Sequence, residues 1–179
     1  MQKLVVFTIT TILSFQISYA QLYTFINEVN YLANNPTEKG LEIAGEAGTD
    51  LTGWEIAVYA ADGTLNFIEY ISSGVIPNKQ NGYGTIWYEV EQNGNEGGLA
   101  LINPNGEVIQ FLSYGTLNYV GVIITAVDGP ANGLVSQYIG TQLNTLNSLQ
   151  LTGTGIAYLD FVWGIPGDIT RNGVNKGQV

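Results

Sequence analysis

The sequence has no cysteine, no histidine and only five basic residues. Each shortage removes a class of function. Without cysteine there is no disulfide framework, no thiolate nucleophile and no thiol to carry a lipid. Without histidine as well, Ser-His-Asp and Cys-His triads are impossible, and so are zinc sites built on imidazole or thiolate. Any metal would be a hard cation held by oxygen. No Gly-rich loop runs into Lys-Ser or Lys-Thr, which removes a phosphate-cradling NTPase site.

Long apolar runs are also scarce, and the clearest one opens the chain. Lys3 precedes Leu4–Phe15, interrupted only by threonines and a serine, and Ser18-Tyr19-Ala20 puts small residues three and one positions before Gln21. This is the layout of a secretory signal cut after Ala20. The run falls short of the roughly 20 apolar residues that span a bilayer. The expectation is residues 1–20 as signal peptide and residues 21–179 as one exported domain, secreted or held in the periplasm or at the cell surface, with no transmembrane segment. That product keeps four basic residues, Lys39, Lys79, Arg171 and Lys176, against fifteen acids, a net charge of −11. So acidic a surface repels phosphate backbones, and direct nucleic-acid binding is not expected.

What is plentiful points to strands and tight turns. Apolar or alternating runs cover Leu22–Tyr31, Gly40–Ala44, Gly53–Ala60, Leu65–Ile71, Tyr83–Val90, Gly98–Ile102, Val108–Tyr114, Tyr119–Ala126, Ser148–Thr152 and Tyr158–Trp163. Between them lie turn signals such as Asn34-Asn35-Pro36, Asp62-Gly63 and Asn103-Pro104-Asn105-Gly106. Parity predicts Trp54, Ile56 and Val58 on one face of their strand, and Phe25, Asn27, Val29 and Tyr31 on one side of the first. Leucines at 143, 146, 149 and 151 suggest a short helical turn. The whole reads as an all-β sandwich.

Several segments resemble lamin-tail domains. Phe25-Ile26-Asn27-Glu28-Val29 is similar to that family's opening "I-N-E-V" strand, and Asp50-Leu51-Thr52-Gly53-Trp54 to its "D-L-S-G-W" element. Gly97–Gly106 resembles its Pro-x-Gly hairpin, continued through Val108–Tyr114. Asp128-Gly129-Pro130, Ser148–Gly153, Asp160–Trp163 and Asn172–Gln178 resemble a bacterial, secreted branch. One departure is Gly40-Leu41-Glu42-Ile43, where the family usually has Trp before its Glu. The resemblance implies an immunoglobulin-like sandwich used for attachment or protein contact. The hydrolase role of larger relatives, which carry a separate catalytic domain, is not expected here.

The remaining candidates are oxygen ligands, carboxylates and aromatics. Asp62, Asp128 and Asp168 stand in turns where they could bind calcium, although Asx residues in turns commonly hydrogen-bond their own backbone. Glu89 and Glu91 leave the same strand face, the arrangement a small glycosidase would need. Their plainer reading is a solvated face. Trp87 shares that face, set apart from Ile86, Tyr88 and Val90, and with Tyr83 it could offer a platform to a sugar ring. The leading expectation is a non-catalytic module with a protein or cell-envelope partner, needing no cofactor. The alternative is a carbohydrate-binding module using Tyr83, Trp87, Glu89 and Glu91.

Overall fold

A computed structural model describes residues 22–92, 94–117 and 120–179. The expected signal peptide, Asn93 and Tyr119 lie outside the described residues. Two antiparallel sheets pack face to face. Sheet one contains β1 (Phe25–Asn30), β2 (Gly40–Glu46), β5 (Tyr83–Glu89), β10 (Asn147–Gly153) and β11 (Phe161–Trp163), in the order β11-β10-β1-β2-β5, and β12 (Gly167–Asp168) adds to β10. Sheet two contains β3 (Glu55–Tyr59), β4 (Leu65–Tyr70), β6 (Glu96–Ile102), β7 (Val108–Leu117) and β8 (Val120–Gly121), in the order β4-β3-β6-β7-β8. β9 (Gln137–Tyr138) pairs with β7 in parallel. The expectation of an all-β sandwich holds.

Between the sheets, Ile26, Val29, Leu41 and Ile43 of sheet one meet Ile56, Val58, Leu99, Leu101 and Leu112 of sheet two, all essentially inaccessible to solvent. Tyr31 stacks on Tyr114 with ring centroids 4.2 Å apart. Trp54, Ile56 and Val58 face this core together, as their alternation predicts. The first strand departs from simple parity. Its register with β2 shifts between Ile26 and Glu28, so the strand carries a bulge at Asn27. The bulge turns Ile26, Val29 and Tyr31 inward and leaves Asn27 and Glu28 for the outer side of the sheet. The helical turn suggested by the leucines does not form: Asn147 already begins β10, and Leu143 and Leu146 are exposed. Two-residue strand parity, not helical spacing, buries Leu149 and Leu151.

Neither outer face is bare. On sheet two, Ala57, Tyr59, Ala100, Ile102 and Phe111 are covered by Val122, Ile124, Ala126 and Ala131. The stretch expected as one strand to Ala126 is regular only over Val120–Gly121. Beyond that it crosses the sheet and pairs with its own return, Ser136 N–H donating to Ile124 O and Ala126 N–H to Leu134 O. Side chains anchor it. Ser136 Oγ accepts from Ile124 N–H at 2.8 Å and donates to Ser113 Oγ at 2.8 Å. Tyr59 Oη accepts from the buried Ala131 N–H at 2.9 Å.

Tyr59→Phe therefore strands a buried amide. It should cost about 1–3 kcal/mol, read as a lower urea midpoint with an unchanged m-value. A loss of only a few tenths would mean that apolar packing alone holds this cover.

Candidate functional site

The outer face of sheet one is where the sequence placed its candidate binding residues, and here the cover is polar. Register sets Gln150, Glu28, Glu42 and Trp87 side by side across β10, β1, β2 and β5. Trp87 does sit on the outer face, opposite in parity to Ile86 and Tyr88, which pack on the core. It is half-buried, not an open platform. A Cβ on Gly40 would touch its ring at 2.9 Å, so the indole lies over that glycine. Above it, the Arg171 guanidinium carbon stands 5.9 Å from the ring centroid, within cation–π range. Arg171 is itself held by the Thr37 carbonyl at 2.7 Å, and Asn172 Oδ1 accepts from the Trp87 backbone N–H.

The other three sequence candidates from this stretch, Tyr83, Glu89 and Glu91, do not gather around Trp87 as a site. Tyr83 lies at the far end of β5, opposite Glu46. Glu89 is exposed. Glu91 lies beyond the strand and is exposed, paired with Lys39 Nζ at 2.8 Å.

Sequence reasoning missed the two glutamates that the fold buries completely, Glu28 and Glu42. Glu42 stands between Leu41 and Ile43 and Glu28 beside Val29, and in so weakly charged a chain that position was the available signal. The Glu28 carboxylate receives hydrogen bonds from Ser148 Oγ at 2.5 Å, Gln150 Nε2 at 3.2 Å, Thr170 N at 3.1 Å and Thr170 Oγ1 at 2.8 Å. Glu42 is poorer in donors. Its Oε1 accepts from Asn27 Nδ2 at 2.8 Å, while Oε2 lacks a partner of hydrogen-bond geometry. The Trp87 indole N–H, on the residue directly opposite, is also buried and unpaired. Burial is the main force pushing the Glu42 carboxyl up to about 7. The Asn27 bond opposes that rise, the neighbouring Glu28 charge adds to it, and the Thr85 hydroxyl and Asn172 N–H oppose it more weakly.

The segment from Thr170 to Val179 closes over this row. Asn175 Nδ2 donates to the carbonyls of Asn27 (3.0 Å) and Leu151 (3.1 Å), and Gln178 Nε2 donates to Asn27 Oδ1 (2.8 Å). Two segments singled out in the sequence, Phe25–Val29 and Asn172–Gln178, thus hold each other, though 148 residues separate Asn27 from Asn175.

The three aspartates offered for calcium are not brought together. Asp62 Oδ1 takes the N–H and hydroxyl of Thr64, which hold its carboxyl below its usual range. Asp128 Oδ1 accepts from Leu65 N–H at 2.6 Å, in a loop beside that of Asp62. Asp168 belongs to the other sheet, where its carbonyl accepts from Gln150. Among the described residues, no group of three or more acids could hold a metal ion.

No family model matches the sequence, and neither a curated protein nor a solved structure matches it.

The Glu42 geometry has a consequence for stability. From its ordinary value of 4.5 up to about 7, the folded chain keeps a proton on Glu42 that the unfolded chain has released. The folded state then binds more protons, so stability falls as pH rises through that window, by at most about 3 kcal/mol. Denaturant unfolding at pH 4.5 and pH 8 should show this loss in the wild type and its near disappearance in Glu42→Gln. Equal pH dependence in the two proteins would contradict the assignment.

Proposed function

We propose that the protein is exported after loss of residues 1–20 and works as a lamin-tail-like, immunoglobulin-like sandwich, secreted or held in the periplasm or at the cell surface. In this reading it is a non-catalytic module for attachment or protein contact. The observation that carries the reading is the fate of the resemblance motifs. Asn27, Glu28, Asn175 and Gln178 direct their polar groups at one another or at neighbouring backbone, holding the fold closed. Motifs used in this way define a scaffold and leave recognition to the periphery. The sheet faces are largely occupied by the chain itself, so contact falls to the edges. β4 hydrogen-bonds to β3 on one side, no other described strand pairs with it, and Tyr70 at its end is two-thirds exposed. An open strand edge is a known route of protein–protein pairing. An acidic surface suits partners that are neutral or basic.

The test is retention of a cell-envelope protein by immobilised residues 21–179. The binding should saturate and be displaced by the free domain. A preparation verified as folded that retains no envelope protein would overturn the proposal.

A further inference from the structure

Next to the glutamate row on sheet one lies a row of a different kind. Register sets Phe25, Ala44 and Thr85 side by side on β1, β2 and β5. In the glutamate row, long side chains reach the segment that crosses above them. Ala44 and Thr85 are short, and the space over them stays open as a cavity of about 350 Å³. Phe161 and Ile156 wall it from β11 and the connection before it, and Val174 and Gln178 from the C-terminal segment. The walls are pinned in place: Gly155 N–H donates to Val179 O, Val179 N–H donates to Gly153 O, and Gln178 is held by Asn27.

We propose that this cavity is a binding site for a small, uncharged, mainly apolar molecule that carries a ring and a hydrogen-bonding group. The size lies at the lower end of small-molecule sites, roughly 300–1,000 Å³. Phe25 and Phe161, with centroids 5.8 Å apart and planes tilted by 40°, form an aromatic corner against which a ring packs. Thr85 on the floor, Thr154 at the rim and Gln178 in the wall are among the polar residues that line it. Among the described residues lining it, none is Asp, Glu, Lys or Arg. A buried ionic group would therefore have no counter-charge, and the chain's net charge of −10 adds repulsion for anions.

The probe is N-phenyl-1-naphthylamine, a neutral dye that brightens in apolar surroundings. The protein should take it up saturably at one site. Anilinonaphthalene sulfonate, which has similar rings plus a negative charge, should bind at least about tenfold more weakly. Ala44→Leu fills the floor and should weaken uptake by about tenfold or more, on the scale that one or two methylenes produce in an apolar pocket. Thr154→Trp, at an exposed position on the rim, blocks the mouth without touching the core and decides the matter should Ala44→Leu fail to fold. No saturable uptake, equal binding of the two dyes, or unchanged affinity in Thr154→Trp would each overturn the proposal. Indifference to the dye together with loss of envelope-protein retention in Thr154→Trp would mean the cavity receives a partner's side chain instead. The dye result stands whether or not the domain retains an envelope protein, so the two proposals fail separately.

Discussion

Two glutamates buried side by side on the outer face of a sheet are the constraint around which half of this structure is arranged. A carboxylate taken out of water is tolerated only when donors replace its hydration. Sheet one itself supplies Ser148, Gln150 and Asn27, and the Thr170 N–H and hydroxyl complete the shell around Glu28. The C-terminal segment therefore completes the sheet instead of hanging from it. Its route runs from Glu28, where Thr170 donates, past Trp87, where Arg171 and Asn172 make contact, to Asn27 and Leu151, where Asn175 donates, and back to Gly153. The bulge at Asn27 belongs to the same arrangement, since it aims that side chain at Glu42 and Gln178 while Ile26 and Val29 stay in the core.

The two outer faces solve the same problem with different chemistry. Sheet two is covered by an apolar segment, stitched at a few points by serine and tyrosine hydroxyls. Its hold comes mostly from area removed from water, which varies little with pH. Sheet one is covered by a polar segment held by hydrogen bonds to Glu28, Asn27, Leu151 and Gly153, beside the buried acid Glu42. One cover is thus nearly indifferent to acidity, and the other is set against a carboxyl that titrates near neutrality. The open space beside the glutamates follows from the same arrangement, because the covering segment tracks the polar row and leaves the small residues beside it unfilled.

Much of the strand layout was legible because period-two alternation over Gly53–Ala60 and Tyr83–Val90 has one reading, and Asp62-Gly63 marks its turn directly. The bulge was not, since Asn27 sits in a run whose plain parity is equally self-consistent. Val122–Ala126 alternates like a strand, and indeed turns alternate residues inward, yet it lies across a sheet instead of within one. Periodicity reports burial on one side and is silent about what lies there. The site was harder still. Trp87 was placed on the correct face, but the residues that cover it, Arg171 and Asn172, are more than eighty positions away and carry no local signal of the contact. Glu28 and Glu42 were visible as acids beside apolar neighbours, Val29 for the first and Leu41 and Ile43 for the second. Their adjacency depended on a register that the bulge itself sets.

The C-terminal segment is part of the folded sheet, held there by its hydrogen bonds to the buried Glu28 carboxylate and to Asn27. Amide hydrogen exchange at Thr170, whose N–H is donated to Glu28, tests it most directly. At pH 6 this amide should be protected to a degree comparable with the core amides of β1, and Glu28→Ala, which removes its acceptor, should abolish the protection. Exchange of Thr170 at the rate of an unstructured chain in the wild type would contradict the account.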